Sequence, residues 1–259
     1  IYHDAYRDLM SFIQFKLGYR MLDMSRTNRE TWTNDSRLSY SAFTFPYDWR
    51  FSNATSAESL KQLVDRVVQY YKQGMGSETE PSFSVIAHSM GGLVSRRYLL
   101  DHRTDHRVRT MTTIGSPFLG ASKTAHILAT GEWFRHWLLG WLPVDAIREV
   151  AQDYPGAHEL ISSSAYFDLG GRPFREEGWD VDGNNVAWET YNSQQYFTYV
   201  DGLSVRTDPG SHSKEFHKAS GQDDWSSSGL GVKYLHLVGN QAEDQTILAV
   251  VARHTAWFA

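Results

Sequence analysis

An α/β fold with a mostly parallel sheet is what this sequence predicts, and three observations predict it. Short apolar runs with strand character alternate with segments of helical period, the pattern of βαβ units. One of those runs, Phe83 to His88, passes through Ser89-Met90-Gly91-Gly92 straight into a helical pattern. Between Ser122 and Gly229 the rhythm changes to a stretch rich in Trp, Gly, Ser, Asn and Asp, which reads as an insertion over the sheet.

The elements follow in chain order. Residues 4–17 read as a helix with Tyr6, Leu9, Met10, Ile13 and Leu17 on one stripe, stopped by Gly18. Leu38 to Phe45 reads as a strand ended by Pro46. Thr55 and Glu58 have capping-box spacing. After them Leu60, Leu63, Val64, Val67, Val68 and Tyr71 recur at helical spacing until Gly74 and Gly76. Phe83 to His88 is a strand, Leu93 to Leu100 a helix, Val108 to Ile114 a strand and Lys233 to Val238 another. The expected domain plan is a core over 1–121, a cap or lid insertion over 122–229, and an incomplete return to the core over 230–259.

Composition narrows the function classes. The chain has 259 residues, 41% of them hydrophobic, enough for a sizeable core. A net charge of -5 without basic clusters argues against nucleic acid as a partner. With no cysteine, disulfides, thiolate metal sites and cysteine nucleophiles are excluded. No apolar run approaches the roughly 20 residues that span a bilayer, and no signal peptide is visible, which leaves an extracellular or a cytoplasmic location open. Two sequons, Asn34-Asp35-Ser36 and Asn53-Ala54-Thr55, read as chance triplets. Asp180-Val181-Asp182-Gly183-Asn184 misses the register of a calcium loop, so no metal is expected there.

The chemistry concentrates at Val85-Ile86-Ala87-His88-Ser89-Met90-Gly91-Gly92-Leu93. A serine placed between a strand and a helix, with small residues two positions away on either side, has the makings of a nucleophile elbow. Ala87 and Gly91 occupy those positions and keep clear of the strand and helix. The strained turn exposes the Ser89 hydroxyl, and the N–H of Met90 points where an oxyanion would develop. The fold expected from this elbow is that of the α/β-hydrolases. His88 is part of the turn and not the expected base, because adjacent side chains diverge there. His102, His106 and His136 lie among charged residues and read as solvated, and His236, alternating with Leu235 and Leu237, reads as structural.

Four segments give the chain a family resemblance. They are Leu17-Gly18-Tyr19-Arg20, Phe45-Pro46-Tyr47-Asp48-Trp49-Arg50, the elbow from Ala87 to Leu93, and Ile114-Gly115-Ser116-Pro117-Phe118-Leu119-Gly120-Ala121. Tyr154-Pro155-Gly156 through Ser162, Ser163 and Phe167 adds a weaker echo. Together they resemble the lecithin:cholesterol acyltransferase-like branch of the α/β-hydrolases. The resemblance implies an esterase, lipase, phospholipase or acyltransferase with a Ser-His-Asp triad. Its substrate would be a lipid or other acyl ester, met at a membrane or lipid surface, and it would need no cofactor. In residues 47–50 a loop-pinning role is favoured over a catalytic one.

The rest of the triad is not evident. The Gly-Asp-Gly turn that the resemblance implies is absent, and only nineteen residues follow Asn240. Asp244 and His254 are the weak acid and base candidates, yet ten positions leave little room for the intervening helix and strand, about twenty residues. The expectation is that the first and last core elements, with the acid and base, lie outside this chain. A catalytically inactive binding module of the same fold is the alternative. In the insertion, Trp133, Trp137 and Trp141 recur every four residues with Phe134 and Leu138 beside them. Such a face packs as core or works as an apolar lid. If it is a lid, Trp137→Ala reduces turnover of long-chain esters far more than of acetate esters; equal loss on both, with a lower Tm, marks it as core.

Overall fold

The computed structural model describes residues 2–24, 40–76, 78, 80–130, 152–171, 174–179, 185–203, 207–219, 221–225, 229–239 and 250–255. It divides into two compact units, Ile1–Asp48 with Ser59–Pro81, and Trp49–Glu58 with Ser82–Ala259. No described helix is long and apolar enough to cross a membrane.

The first unit opens with α1 (Tyr2–Ser11), which continues as a π-helical turn over Phe12–Lys16. The expected stop at Gly18 is a left-handed residue, φ 74°. The strand expected over residues 38–45 is shorter among the described residues: β2 (Ala42–Phe43) pairs in parallel with β1 (Met21–Leu22) and goes no further. The Thr44 hydroxyl explains the end of the ladder, because it accepts the Met24 N–H at 2.8 Å and donates to Asp23 Oδ1 at 3.2 Å. Tyr71 Oη donates to the Tyr40 carbonyl at 2.6 Å, tying this strand region to helix α2 (Asn53–Met75). Burial beside Tyr70 raises the Tyr71 pKa.

Helix α2 starts two residues before the Thr55 cap expected from the sequence. Ser52 is the cap instead: its carbonyl accepts the Ser56 N–H and its hydroxyl accepts the Thr55 N–H, both at 3.1 Å. Leu60, Val64, Val67 and Val68 of the expected stripe are buried. Asn53, in one of the two sequons, is fully buried, so a glycan there would have no room.

The second unit is built on a three-stranded parallel sheet in the order β3-β4-β7. Its strands are Phe83–His88, Val108–Ile114 and Lys233–Leu237, with Ala87 opposite Thr113 and Thr113 opposite His236. Helix α3 (Gly91–Asp101) packs on one face, and Leu93, Val94, Tyr98, Leu99 and Met111 are almost wholly buried there. On the opposite face Ile86, Leu235 and Leu237 are about half exposed.

The turn from α3 to β4 corrects one reading. His106 is buried, not solvated. Its Nδ1 accepts the Val108 N–H at 2.9 Å and its Nε2 donates to the Leu230 carbonyl at 3.0 Å. That pair of bonds requires the neutral ring, and burial lowers the His106 pKa. Burial lowers that of His158 as well. A histidine whose folded pKa is depressed takes up its proton first in the unfolded chain. The stability it supports is therefore present above about pH 6.5 and falls as the pH drops below that value. Urea unfolding at pH 7.5 and 5.5 should show that loss, reduced in His106→Gln; an identical loss in both proteins would refute the assignment to His106.

A second cluster lies in the region read as an insertion. Helices α4 (Lys123–Thr130), α5 (Pro155–His158), α6 (Ser164–Asp168) and α7 (Ser193–Asp201) contribute to it. Ala125, Leu128, Ala157, Ile161, Phe167, Tyr196, Phe197 and Val200 form the core. Burial pushes the Tyr196 hydroxyl up to about 12. Helix α8 (Pro209–Lys214) and a π-helical turn over Glu215–Ala219 follow. Strands β5 (Phe174–Trp179) and β6 (Asn185–Thr190) pair antiparallel, and β8 (Val250–Thr255) joins β5 in parallel. Among the described residues, β7 alone of segment 230–259 returns to the β3–β4 sheet.

Candidate active site

Ser89 stands between the end of β3 and the start of α3 with φ 52°, a left-handed conformation rare for a residue with a side chain. Its N–H donates to the Ile114 carbonyl at 2.9 Å, extending the sheet ladder by one residue. Its carbonyl accepts the Gly92 N–H at 3.0 Å, which closes the turn. The strain is held between a strand edge and a helix start, and the side chain is half-buried. Among the described residues the Met90 N–H has no acceptor. It lies at the N-terminal end of α3, where the helix favours negative charge.

Small residues permit this turn for separate reasons. Gly91 begins α3, and Ala87 is buried on the face that α3 covers. A Cβ on Gly92 would collide with the Ser116 hydroxyl and Cβ, so the loop after β4 fits directly under the helix start. Ser116 is itself buried with no hydrogen-bond partner for its Oγ among the described residues. Phe118 of the same loop meets Trp225 edge-on at 4.8 Å and His236 at 5.3 Å.

The Tyr154 to Ser163 segment braces the site from behind. A Cβ on Gly156 would collide with the Trp49 and Phe51 carbonyls and approach Met90 Cε to 3.1 Å. Trp49 and Tyr154 stack edge-on at 5.4 Å. Further along, the Ala121 N–H donates to the Leu160 carbonyl at 2.8 Å and the Ser163 N–H to the Leu119 carbonyl at 3.0 Å. Segments 49–53, 115–121 and 154–163, far apart in sequence, thus meet around the elbow. The lecithin:cholesterol acyltransferase family profile matches residues 38–234, a span that holds all three.

The chain belongs to the lecithin:cholesterol acyltransferase family. With the parallel sheet and its strand–serine–helix turn, this membership gives it the α/β-hydrolase fold. An uncharacterized protein of Saccharomyces cerevisiae, YJR098C, is 38% identical over 73 residues, 28% of this chain. The chain spans about a tenth of that relative's length. The crystal structure of the Tle4–Tli4 complex is similar at a TM-score of 0.47 and 19% identity, over 71% of this chain and 41% of that one. A proposed epoxide hydrolase from Pseudomonas aeruginosa is similar at a TM-score of 0.27 and 16% identity, over 82% of this chain and 65% of that one.

Met90 apart, the other candidate residues of this family member fall wholly or in their side chains outside the described residues. Trp133, Trp137, Trp141 and Asp244, with the Asp180–Asn184 loop and the Asn34 sequon, lie outside the described residues. His254 lies on β8 opposite Gly178 of β5, and its side chain is outside the description. Several described histidines are bonded elsewhere. His158 Nε2 donates to the Gln152 carbonyl at 2.6 Å, His236 Nδ1 meets Thr113 Oγ1 at 2.7 Å, and His217 Nδ1 meets Asp223 Oδ1 at 2.9 Å. Among the described residues no hydrogen bond joins a histidine to Ser89.

Two charged residues near the site were missed in the sequence. Arg96 of α3 is 2% exposed, and its guanidinium donates to the Gln222 carbonyl at 2.7 Å and the Asp224 carbonyl at 2.6 Å. It also lies 3.7 Å from the Trp225 ring centroid. Its signal was present: Leu93, Arg96, Arg97 and Leu100 share the helical spacing of a buried stripe. Glu159, 2% exposed, had no such signal.

Proposed function

We propose that this chain carries the nucleophile of a serine esterase, lipase, phospholipase or O-acyltransferase acting on lipid or other acyl esters. The observation that supports this reading most is the left-handed Ser89 at the strand-to-helix turn, with the Met90 N–H beside it and free of acceptors among the described residues. Ser89 Oγ attacks the ester carbonyl carbon while a histidine accepts its proton. The Met90 N–H stabilises the oxyanion. On collapse of the tetrahedral intermediate the alkoxy C–O bond breaks, and the histidine returns the proton to the departing alcohol. Water or an acceptor alcohol then attacks the acyl-serine carbonyl and releases the acyl group, restoring the Ser89 hydroxyl.

A second reading, an inactive hydrolase fold that serves binding, draws on the lack of a described histidine bonded to Ser89. A fluorophosphonate probe separates the two, because it reacts with an activated serine and ignores an inert one. The intact protein should be labelled on the peptide containing Ser89. No labelling of a folded sample would favour the binding module.

A further inference from the structure

The Glu159 carboxylate is buried at the start of a long helix and has partners on two separate segments. Its Oε2 accepts the Asn53 N–H at 2.6 Å, and Asn53 is the first residue of the 23-residue helix α2. Its Oε1 lies 3.1 Å from His212 Nε2 on α8. Its own backbone carbonyl accepts His217 Nε2–H at 3.0 Å. With Ser52 serving Thr55, Glu159 adds to the capping of α2 from outside the helix. The negative charge also sits where the helix dipole favours it. Three residues upstream, Gly156 lies against the Trp49 and Phe51 carbonyls and near Met90.

We infer that Glu159 is a positioning residue for the Ser89–Met90 elbow, an inference that rests on the function proposed above. Glu159 does not touch the reacting atoms. It fixes loop 49–53 against its own segment, and that segment in turn fixes Gly156 behind Met90. Without the carboxylate, the buried Asn53 N–H and the His212 ring lose their acceptor, and the packing of Gly156 near the Met90 side chain slackens. An amide that must meet an oxyanion within a few tenths of an ångström then loses its aim.

Three variants of the intact protein test this. Glu159→Gln keeps an oxygen at the same reach, Glu159→Asp keeps the charge but falls short of Asn53, and Glu159→Ala removes both. Fluorophosphonate labelling of Ser89, measured well below each variant's Tm, should stay within about threefold of the parent in the Gln variant. In the Asp and Ala variants it should fall by about tenfold or more, given that small misplacements at a reacting centre can cost 10²-fold. Amide exchange by mass spectrometry should rise in peptides covering residues 49–56 and 88–94 in those same two variants. Parent-like labelling and exchange in the Asp variant would overturn the inference, and the Asp and Gln variants decide it if the Ala variant does not fold. Slow labelling with unchanged exchange at 88–94 would also overturn it. Should the parent itself resist the probe, the hydrolase reading fails alone, and the exchange data still accept or reject the brace.

Discussion

Ser89→Ala is expected to abolish fluorophosphonate labelling and to lower ester turnover of the intact protein by at least about 10³-fold. Removing the nucleophile of a triad leaves only oxyanion stabilisation and substrate binding, and losses of about 10⁶ have that origin. The substitution should cost little stability. Alanine shares the Cβ of serine, and no side-chain hydrogen bond of Ser89 exists among the described residues. The backbone bonds that hold the turn, Ser89 N–H to Ile114 and Gly92 N–H to Ser89, do not involve the hydroxyl. A p-nitrophenyl ester assay checks the first part and thermal melting the second. Undiminished turnover by the variant would remove Ser89 from the mechanism.

Arg96→Ala should have the largest effect on stability, about 3–5 kcal/mol. The guanidinium makes two bonds to carbonyls that are otherwise left without this donor, each worth roughly 1.5–3 kcal/mol as charge-assisted bonds. Its stacking over Trp225 adds about 1–2 kcal/mol. Such terms do not add fully, so the lower sum is the realistic one. Set against a typical total of about 5–15 kcal/mol, this loss is severe. Arg96→Lys should rescue little, since a single ammonium on a flexible stem cannot span both carbonyls and stack as a plane does. Urea denaturation of both variants measures the effect, and a shift under about 1 kcal/mol in Arg96→Ala would contradict it.

What was legible in the sequence was local. β4 was bounded by its own pattern of residues, and the elbow by Ala87, Ser89, Gly91 and Gly92 within a few positions. Local patterns also misled: the Thr55 spacing suggested a cap, while Ser52, three residues earlier, supplies it. His106 looked solvated because its neighbours in sequence are charged, yet its ring is held by Val108 and by Leu230, 124 positions away. Arg96 and Glu159 find their partners at separations of 126 and 106 residues, and no pattern within a helix or turn encodes those. The pairing of β8 with β5 is of the same kind. The candidate site was therefore half readable: the strand–serine–helix turn is written in one segment, and its supports are written elsewhere.

That separation has a consequence for biosynthesis. The ribosome delivers β3, the elbow and α3 long before Gln222 and Asp224 exist to receive Arg96. At about 5–20 residues per second, a gap of 126 residues lasts on the order of ten seconds. Throughout that interval the nascent strand–turn–helix must carry a guanidinium with no carbonyl partners and an apolar helix face without its full cover. Closing a loop of this length costs entropy before the Arg96 contacts repay it. The elbow and α3 are thus translated well before the carbonyls that hold Arg96.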